Sequence, residues 1–168
     1  MKRHFLVMVA LGLALCLTGA PAWGEDFYVV AGGGSSGKVL KTQVFTSNTT
    51  NNTVGTEYWA ELDSPKWTYT KLSATSYLVI TYQDSIRCDD GWGFYQLRVN
   101  GQASAAGVNA AVLVGSSFWQ INGATGVWQG VPKGNVNLSI WHWQSGCEAC
   151  AQGANGWPTN VTVMEIEH

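Results

Sequence analysis

The stretch SYLVITYQD (residues 76–84) is apolar on both sides of its extended backbone at YLVIT, as a strand in the centre of a covered sheet requires. Short β-branched and aromatic runs recur along the chain between Gly, Asn, Ser and Pro, and none has an apolar stripe at helical spacing. The clearest are KVLKTQVF (38–45), WGFYQLRVNG (92–101), VPKGNVNLSIWHW (131–143) and NVTVMEI (160–166). Because no helix separates them, the sequence predicts an all-β fold. We expect an antiparallel two-sheet β-sandwich of jelly-roll type with eight to ten strands.

The segments between these runs complete the pattern. FYVVA (27–31) and KWTYTKL (66–72) predict two further strands, and three short ones are expected between Ala110 and Val131. SNTTNNTVG (47–55) has no core-forming residue and predicts a polar loop. Asn100-Gly101 predicts a tight turn. The first and last strands are expected to lie close together, which would hold both ends of the domain.

The first 24 residues, MKRHFLVMVALGLALCLTGAPAWG, predict a secretory signal peptide. Lys2 and Arg3 precede an apolar run that is too short for a stable membrane span, and cleavage is expected after Ala22 or Gly24. Residues 25–168 then form a single domain with no apolar run long enough to cross a membrane. We expect a secreted protein, periplasmic or extracellular.

Charge and composition narrow the range of partners. Past the predicted signal, seven basic residues stand against eleven acidic ones, a net charge of −4, and no basic stripe is present. Nucleic acid and anionic membranes are therefore not expected as partners. Eight of the nine tryptophans lie in this part of the chain, which is typical of a compact, aromatic-rich β-domain.

The tryptophans are the candidate ligand-binding residues. Trp141 and Trp143 are two residues apart on one predicted strand and therefore face the same side. They share that side with Asn137 and Ser139, whereas Leu138 belongs to the opposite, apolar side. This mixed side predicts a platform that contacts sugars or a protein surface; the alternative is that both tryptophans fill the core of the sandwich. Two more tryptophans lie beside glycine or turn residues, so the candidates are Trp141, Trp143, Trp92 and Trp157.

Three cysteines follow the predicted signal, and export favours disulfides. Cys88 follows the strand at 76–84, and Cys147 and Cys150 follow the strand at 131–143. We expect a bridge from Cys88 to Cys147, or to Cys150, which would close a loop of about sixty residues and contribute about 4 kcal/mol. The alternatives are a local Cys147–Cys150 disulfide and a zinc site made of the three cysteines and His142.

Three carboxylates surround Cys88 in the segment DSIRCDDGW. Asp84, Asp89 and Asp90 supply hard oxygen donors, which are the ligands that calcium prefers. We nevertheless expect no cofactor, because the spacing is not that of a known calcium loop and acidic loops at strand ends are common; calcium is kept as the alternative at these three residues.

Catalytic signatures are absent from the sequence. After the predicted signal only His142 and His168 remain as histidines, and no GxSxG or HExxH motif occurs. Acid–base hydrolysis needs only two carboxyl groups, so a small secreted hydrolase stays an alternative.

The runs SYLVITYQDS, GWGFYQLRVNG, VWQGVPKGNVNLSIWHW and NVTVMEI together resemble the jelly-roll head domains of the C1q and tumour-necrosis-factor superfamily, and more closely small secreted bacterial and phage domains of that kind. The resemblance covers two thirds of the chain after the predicted signal. It implies a jelly roll that often forms a homotrimer and binds other molecules by its surface. We therefore expect a secreted, non-enzymatic recognition or assembly module with a tryptophan-rich surface. A carbohydrate-binding module or lectin is the first alternative, and a carboxylate-dependent hydrolase the second.

Overall fold

A computed structural model describes residues 37–54, 58–108, 111–145, 149–153 and 157–167. Its described residues form nine strands and no helix. The predicted signal peptide and the predicted strand at 27–31 lie outside them. The strands are β1 (Val39–Ser47), β2 (Asn51–Val54), β3 (Ala60–Lys71), β4 (Tyr77–Val99), β5 (Ala106–Val108), β6 (Ala111–Trp128), β7 (Gly134–Ser145), β8 (Ala149–Gln152) and β9 (Thr159–Ile166).

The strands form two antiparallel sheets that continue into each other through β4 and β6. In the first sheet the order is β1, β9, the first half of β4, the second half of β6, and β5. In the second sheet β7 lies between β3 and the second half of β4, which also pairs with the start of β6. The predicted antiparallel two-sheet β-sandwich is confirmed. The first strand of the described residues, β1, pairs with β9, whereas the predicted first strand at 27–31, expected near the last strand, lies outside them.

The core lies between the inner faces of these sheets. Along β9 and β7 every second side chain is buried, because successive residues of a strand point to opposite faces. The buried apolar residues of this core are Leu62, Tyr69, Leu78, Ile80, Tyr82, Ile86, Cys88, Tyr95, Leu97, Val99, Trp128, Val131, Val136, Leu138, Ile140, Cys150, Val161 and Val163.

Strand β4 passes from one sheet to the other, and its inward-facing positions change on the way. Even-numbered residues such as Ile80 face the core in the first half, and odd-numbered residues such as Leu97 face it in the second half. The change follows irregular pairing with β6 between Ile86 and Trp92. Such irregularities let a strand turn a corner between sheets. One consequence is that Trp92 and the even-numbered residues after it point outward.

The turn after β4 is the one that the sequence predicts. Asn100 and Gly101 both have positive φ, at 50° and 77°, as the two central residues of a type I′ turn require. Val99 and Gln102 exchange backbone hydrogen bonds of 3.0 and 2.9 Å across it. The Asn100 side chain also accepts a bond of 2.8 Å from the backbone N–H of Asn137, which fastens the turn to β7.

A disulfide joins Cys88 to Cys150, so the second of the two expected partners is the one observed. Cys147 lies outside the described residues. The sequence predicts that Cys88 follows the strand at 76–84, in the loop after it, and this is wrong: the strand continues, and Cys88 lies within β4, directly opposite Cys150 on β8. Both residues are buried, and Gly93 packs so closely that a Cβ there would lie 2.4 Å from the Cys88 sulfur. The bridge therefore fastens β8 to the bend of β4 inside the core.

The loop predicted at 47–55 is also partly wrong, because β2 forms within it. Asn51 donates from its side-chain amide to Gln152 of β8 at 2.8 Å and to the Ser64 carbonyl at 2.6 Å. These contacts with distant residues, together with the pairing of β2 and β8, replace the missing apolar side chains. In the same way the three short strands expected after Ala110 are one strand, β6.

No helix in the described part of the chain is long and apolar enough to cross a membrane.

Candidate functional site

The outer side of the second sheet carries most of the candidate residues. On β7, Leu138 and Ile140 are fully buried, whereas Trp141 and Trp143 are only partly buried and point away from the core. The alternation of inward and outward side chains that the sequence predicts for this strand is therefore the one observed. We call this side the aromatic face; it comprises Trp59, Trp92, Phe94, Gln96, Arg98, Asn137, Ser139, Trp141 and Trp143.

Three aromatic rings form a row across β4 and β7. Phe94 lies directly opposite Trp143, and their ring centres are 4.9 Å apart. Trp92 continues the row, since its ring is 6.5 Å from that of Phe94 at an angle of only 17°. Trp92 is 47 % exposed, which is high for a tryptophan in the middle of a sheet. The row thus offers aromatic surface to solvent at the bend of β4.

A cationic stack adjoins the row. The guanidinium of Arg98 lies 4.2 Å from the ring centre of Trp141 and 5.5 Å from that of Trp59, so it is held between two indoles. Its Nε donates to Gln96 at 2.8 Å. Burial lowers the pKa of Arg98, because a partly desolvated cation is less stable than one in water. The Trp141 indole N–H donates to Ser139 at 3.1 Å, which fixes the ring plane.

A groove of about 320 Å³ lies beside this stack, between β3 and β7. The register of β3 shifts between Glu61, opposite Trp141, and Lys66, opposite Ser139. Between these two pairs β3 therefore has three residues more than β7, and this irregularity shapes one wall of the groove. Lys66 and Glu61 form a surface ion pair of 3.4 Å at its edge. The lining residues are Glu61, Lys66, Trp67, Thr68, Asn137, Leu138 and Ser139.

The structure brings together three of the four predicted tryptophans. Trp141, Trp143 and Trp92 share the aromatic face, whereas Trp157, between β8 and β9, is 57 % exposed and makes no ring contact with the row among the described residues. The sequence interpretation missed Trp59 and Phe94 and gave Arg98 no role. The signal that could have found two of them is the alternation along WGFYQLRVNG (92–101), which places Phe94 and Arg98 on the side opposite Leu97. Only the pairing of β4 with β7 reveals that this side adjoins Trp141.

The carboxylates proposed for calcium have other partners. Asp84 is 1 % exposed and accepts hydrogen bonds from Tyr82 at 2.6 Å, Thr159 at 3.0 Å and Gln152. Asp89 is exposed and pairs with Arg87 at 3.4 Å. The side chain of Asp90 lies outside the described residues. Among the described residues no group of three acidic, histidine or cysteine side chains is placed to hold a metal ion, so calcium stays a prediction without structural support.

Burial governs the protonation of Asp84. It raises the pKa of this carboxyl to about 6, and the hydrogen bonds from Tyr82, Gln152, Thr159 and the backbone N–H of Ser85 offset only part of the increase. Asp84 is therefore a buried acid in a polar cluster of the core, closed to a ligand.

Glu165 is the second buried carboxylate, and it holds the connection between β3 and β4. It accepts hydrogen bonds from Tyr69, from Ser76 and from the backbone N–H groups of Leu72 and Ser73. Burial alone would raise its pKa, but these bonds outweigh burial and hold the pKa below the usual range.

The two buried carboxylates are too far apart for joint acid–base chemistry. Glu165 lies opposite Leu78 on β4, six residues before Asp84 on the same strand. At about 3.3 Å per residue their backbones are about 20 Å apart. A glycosidase needs its two carboxyl groups within about 5–9.5 Å. These residues therefore give the hydrolase alternative no support.

The zinc alternative is overturned by the disulfide, because the sulfurs of Cys88 and Cys150 are bonded to each other. His142 lies inside the sandwich, 7 % exposed, with its ring 6.4 Å from that of Tyr95. Burial lowers the pKa of His142, so the neutral imidazole is favoured. It is a core residue here.

Comparison with known proteins returned no relative: no protein-family model matches the chain, and no curated protein matches it in sequence.

Proposed function

We propose that this protein is a recognition module that binds a saccharide through its aromatic face. The observation that carries the proposal is the row of Trp92, Phe94 and Trp143 on the outer side of a sheet, with Trp92 47 % exposed. Exposed aromatic surface of this kind marks interaction sites, because leaving it in water is unfavourable unless a ligand covers it.

The chemistry of the face suits a sugar ring. A pyranose has C–H groups that pack against an aromatic ring and hydroxyl groups that need hydrogen-bond partners. Asn137 and Thr68, both exposed, supply amide and hydroxyl groups in the adjoining groove. Apolar platforms with a few fixed polar groups are typical of small-ligand sites. The rigid backbone of three paired strands keeps these groups in place without a ligand.

Export agrees with this role. The Cys88–Cys150 disulfide supports a protein that folds in an oxidising compartment, as the predicted signal peptide requires. A secreted binding module meets polysaccharides there.

Self-assembly is the second candidate, and the same observation favours it. A second copy of the chain would cover Trp92 as effectively as a sugar does, and aromatic residues are enriched at protein interfaces. The homotrimer implied by the resemblance to C1q-like heads belongs to this candidate.

A saccharide panel followed by titration of the binders tests the proposal. Trp143→Ala and Trp92→Ala are expected to weaken binding about ten-fold each, as loss of a central aromatic contact does. Trp157→Ala is the matched control, since it removes an equally exposed indole elsewhere, and should bind as the wild type does. Absence of binding to every saccharide, or equal loss in all three variants, would overturn the assignment.

A further inference from the structure

We propose that the saccharide is acidic, and that Arg98 and Lys66 receive its carboxylate or sulfate groups. This inference rests on the proposed function, and it adds the chemical class of the ligand. The observation behind it is an arginine that is held in place on the aromatic face without an acidic partner.

Arg98 forms no salt bridge within the described part of the chain. Of its donors, Nε is used by Gln96, and one terminal nitrogen lies 3.5 Å from the carbonyl of Gly101, at the limit of a hydrogen bond. Among the described residues its other donors form no further hydrogen bond. A guanidinium offers a planar fork that matches a carboxylate or a sulfate with two parallel hydrogen bonds.

The position of Arg98 is fixed before any ligand arrives. Trp141 and Trp59 hold the guanidinium between their rings, and Gln96 holds its Nε. A side chain that is already ordered loses little conformational entropy on binding. Partial burial also lowers the pKa of Arg98, which is the mark of a cation that an anion beside it would stabilise.

Lys66 supplies a second cation on the same face. Ser139 of β7 has Lys66 opposite it on one side and Arg98 opposite it on the other, so the three residues form a row across neighbouring strands. With about 4.8 Å between strands, the backbones of the two cationic residues are about 10 Å apart. The groove occupies the Lys66–Ser139 end of this row, and Arg98 lies next to it on the other side of Ser139.

The carboxylate of Glu61 beside Lys66 does not prevent an anionic ligand from binding there. Glu61 lies 3.4 Å from Lys66, but the two side chains are 37 % and 50 % exposed. Such exposed pairs contribute little, about 0–1 kcal/mol, and exchange partners easily. A carboxylate or sulfate in the groove therefore replaces Glu61 at low cost. The positive charge of Arg98 and Lys66 is a local feature of this face, because the whole sequence has a net charge of −2.

The test is calorimetric titration of the purified protein with three polymers: polygalacturonate, which carries carboxylates, dextran sulfate, which carries sulfates, and neutral dextran. At least one anionic polymer is expected to bind about ten-fold more tightly than dextran, and its affinity should fall as salt is raised. The two anionic arms distinguish a carboxylate ligand from a sulfate ligand. Equal affinity for dextran and both anionic polymers would overturn the inference.

Three single-charge variants locate the effect. Arg98→Gln should weaken binding to the preferred anionic polymer about ten-fold, and Lys66→Gln about three-fold. Lys133→Gln is the matched control, because Lys133 is exposed in the turn before β7, away from the groove, and should have no effect. An equal loss in all three variants would indicate a response to net charge and contradict the inference.

The outcomes separate this inference from the proposed function. Binding of neutral dextran that is lost in Trp143→Ala and kept in Arg98→Gln leaves the saccharide function standing and removes the acidic ligand. No binding to either anionic polymer removes the acidic ligand, and the saccharide function is then decided by the full saccharide panel. Near-UV circular dichroism checks that Arg98→Gln folds; if it does not, Lys66→Gln decides, because the Lys66 side chain is 50 % exposed and its surface ion pair with Glu61 contributes little to stability.

Discussion

Replacing Asp84 with asparagine is expected to remove the loss of stability that ionisation of this buried carboxyl causes as the pH rises. Asp84 is 1 % exposed, and burial raises its pKa from the ordinary 3.8 to about 6. The folded chain therefore holds this proton more tightly than the unfolded chain does. The contribution of Asp84 to stability is complete below about pH 4, falls as the pH rises between about 4 and 6, and is lost above pH 6.

The magnitude follows from the size of the shift. The pKa rises by about two pH units, and each unit corresponds to 1.36 kcal/mol, so ionisation of Asp84 costs the folded state about 3 kcal/mol at neutral pH. Asp84→Asn is uncharged at every pH and escapes this cost. In the variant the new side-chain amide faces the N–H donors of Gln152 and Ser85. This mismatch lowers the stability of the variant by an amount that does not vary with pH.

Urea unfolding at intervals from pH 4 to pH 8, with the disulfide intact, gives the free energy of unfolding of each protein. The difference between wild type and Asp84→Asn should move by about 3 kcal/mol in favour of the variant as the pH rises. Asp89→Asn, a change at an exposed aspartate of the same strand, is the control and should leave the profile unchanged. Glu165, whose pKa is lowered in the folded state, makes stability increase as the pH rises. This contribution is present in both proteins and therefore cancels in the difference between them. A difference that is constant with pH, or that moves in favour of the wild type, would refute the reasoning.

Three further results are expected. Removing the bridge with Cys88→Ala and Cys150→Ala together should lower the free energy of unfolding in urea by about 4 kcal/mol, because the crosslinked residues are 62 apart in sequence. A loss below about 1 kcal/mol would mean that the bridge does not constrain the unfolded chain. Gly93→Ala should cost about 2 kcal/mol, since its Cβ would meet both sulfurs at 2.4 and 3.1 Å, and the cost should shrink in the cysteine-free background; an equal cost in both backgrounds contradicts this cause. If self-assembly covers the aromatic face, light scattering will give a trimer mass that Trp92→Ala reduces; a strict monomer at micromolar concentrations excludes that candidate.

The parts of the fold that follow a simple alternation could be predicted from sequence. Leu97 and Val99 point inward, and Trp141 and Trp143 outward, because a strand places successive residues on opposite faces. Asn100-Gly101 forms the expected turn because few other residue pairs tolerate two positive φ angles. These local rules were enough to identify the side of β7 that carries the candidate site.

Features that depend on distant partners could not be predicted in this way. The segment around Cys88 looks like a polar loop, yet it belongs to a strand, since Asp84 is bonded to Gln152 and Thr159, which are 68 and 75 residues away. The cationic stack depends on the register of β4 against β7, which brings Arg98 next to Trp141. Sequence spacing along one strand contains no information about that register.

The indole N–H signals of the tryptophans in a two-dimensional nitrogen–proton spectrum test most directly that the ligand lies on the aromatic face. On saturation with a saccharide that binds in the panel, the signals of Trp92, Trp141 and Trp143 are expected to shift. The signal of Trp128 should stay in place, because that residue is 4 % exposed and its N–H is bonded to the Gln102 carbonyl at 2.9 Å. Shifts confined to Trp128 or Trp157, with those of the aromatic face unchanged, would contradict the account.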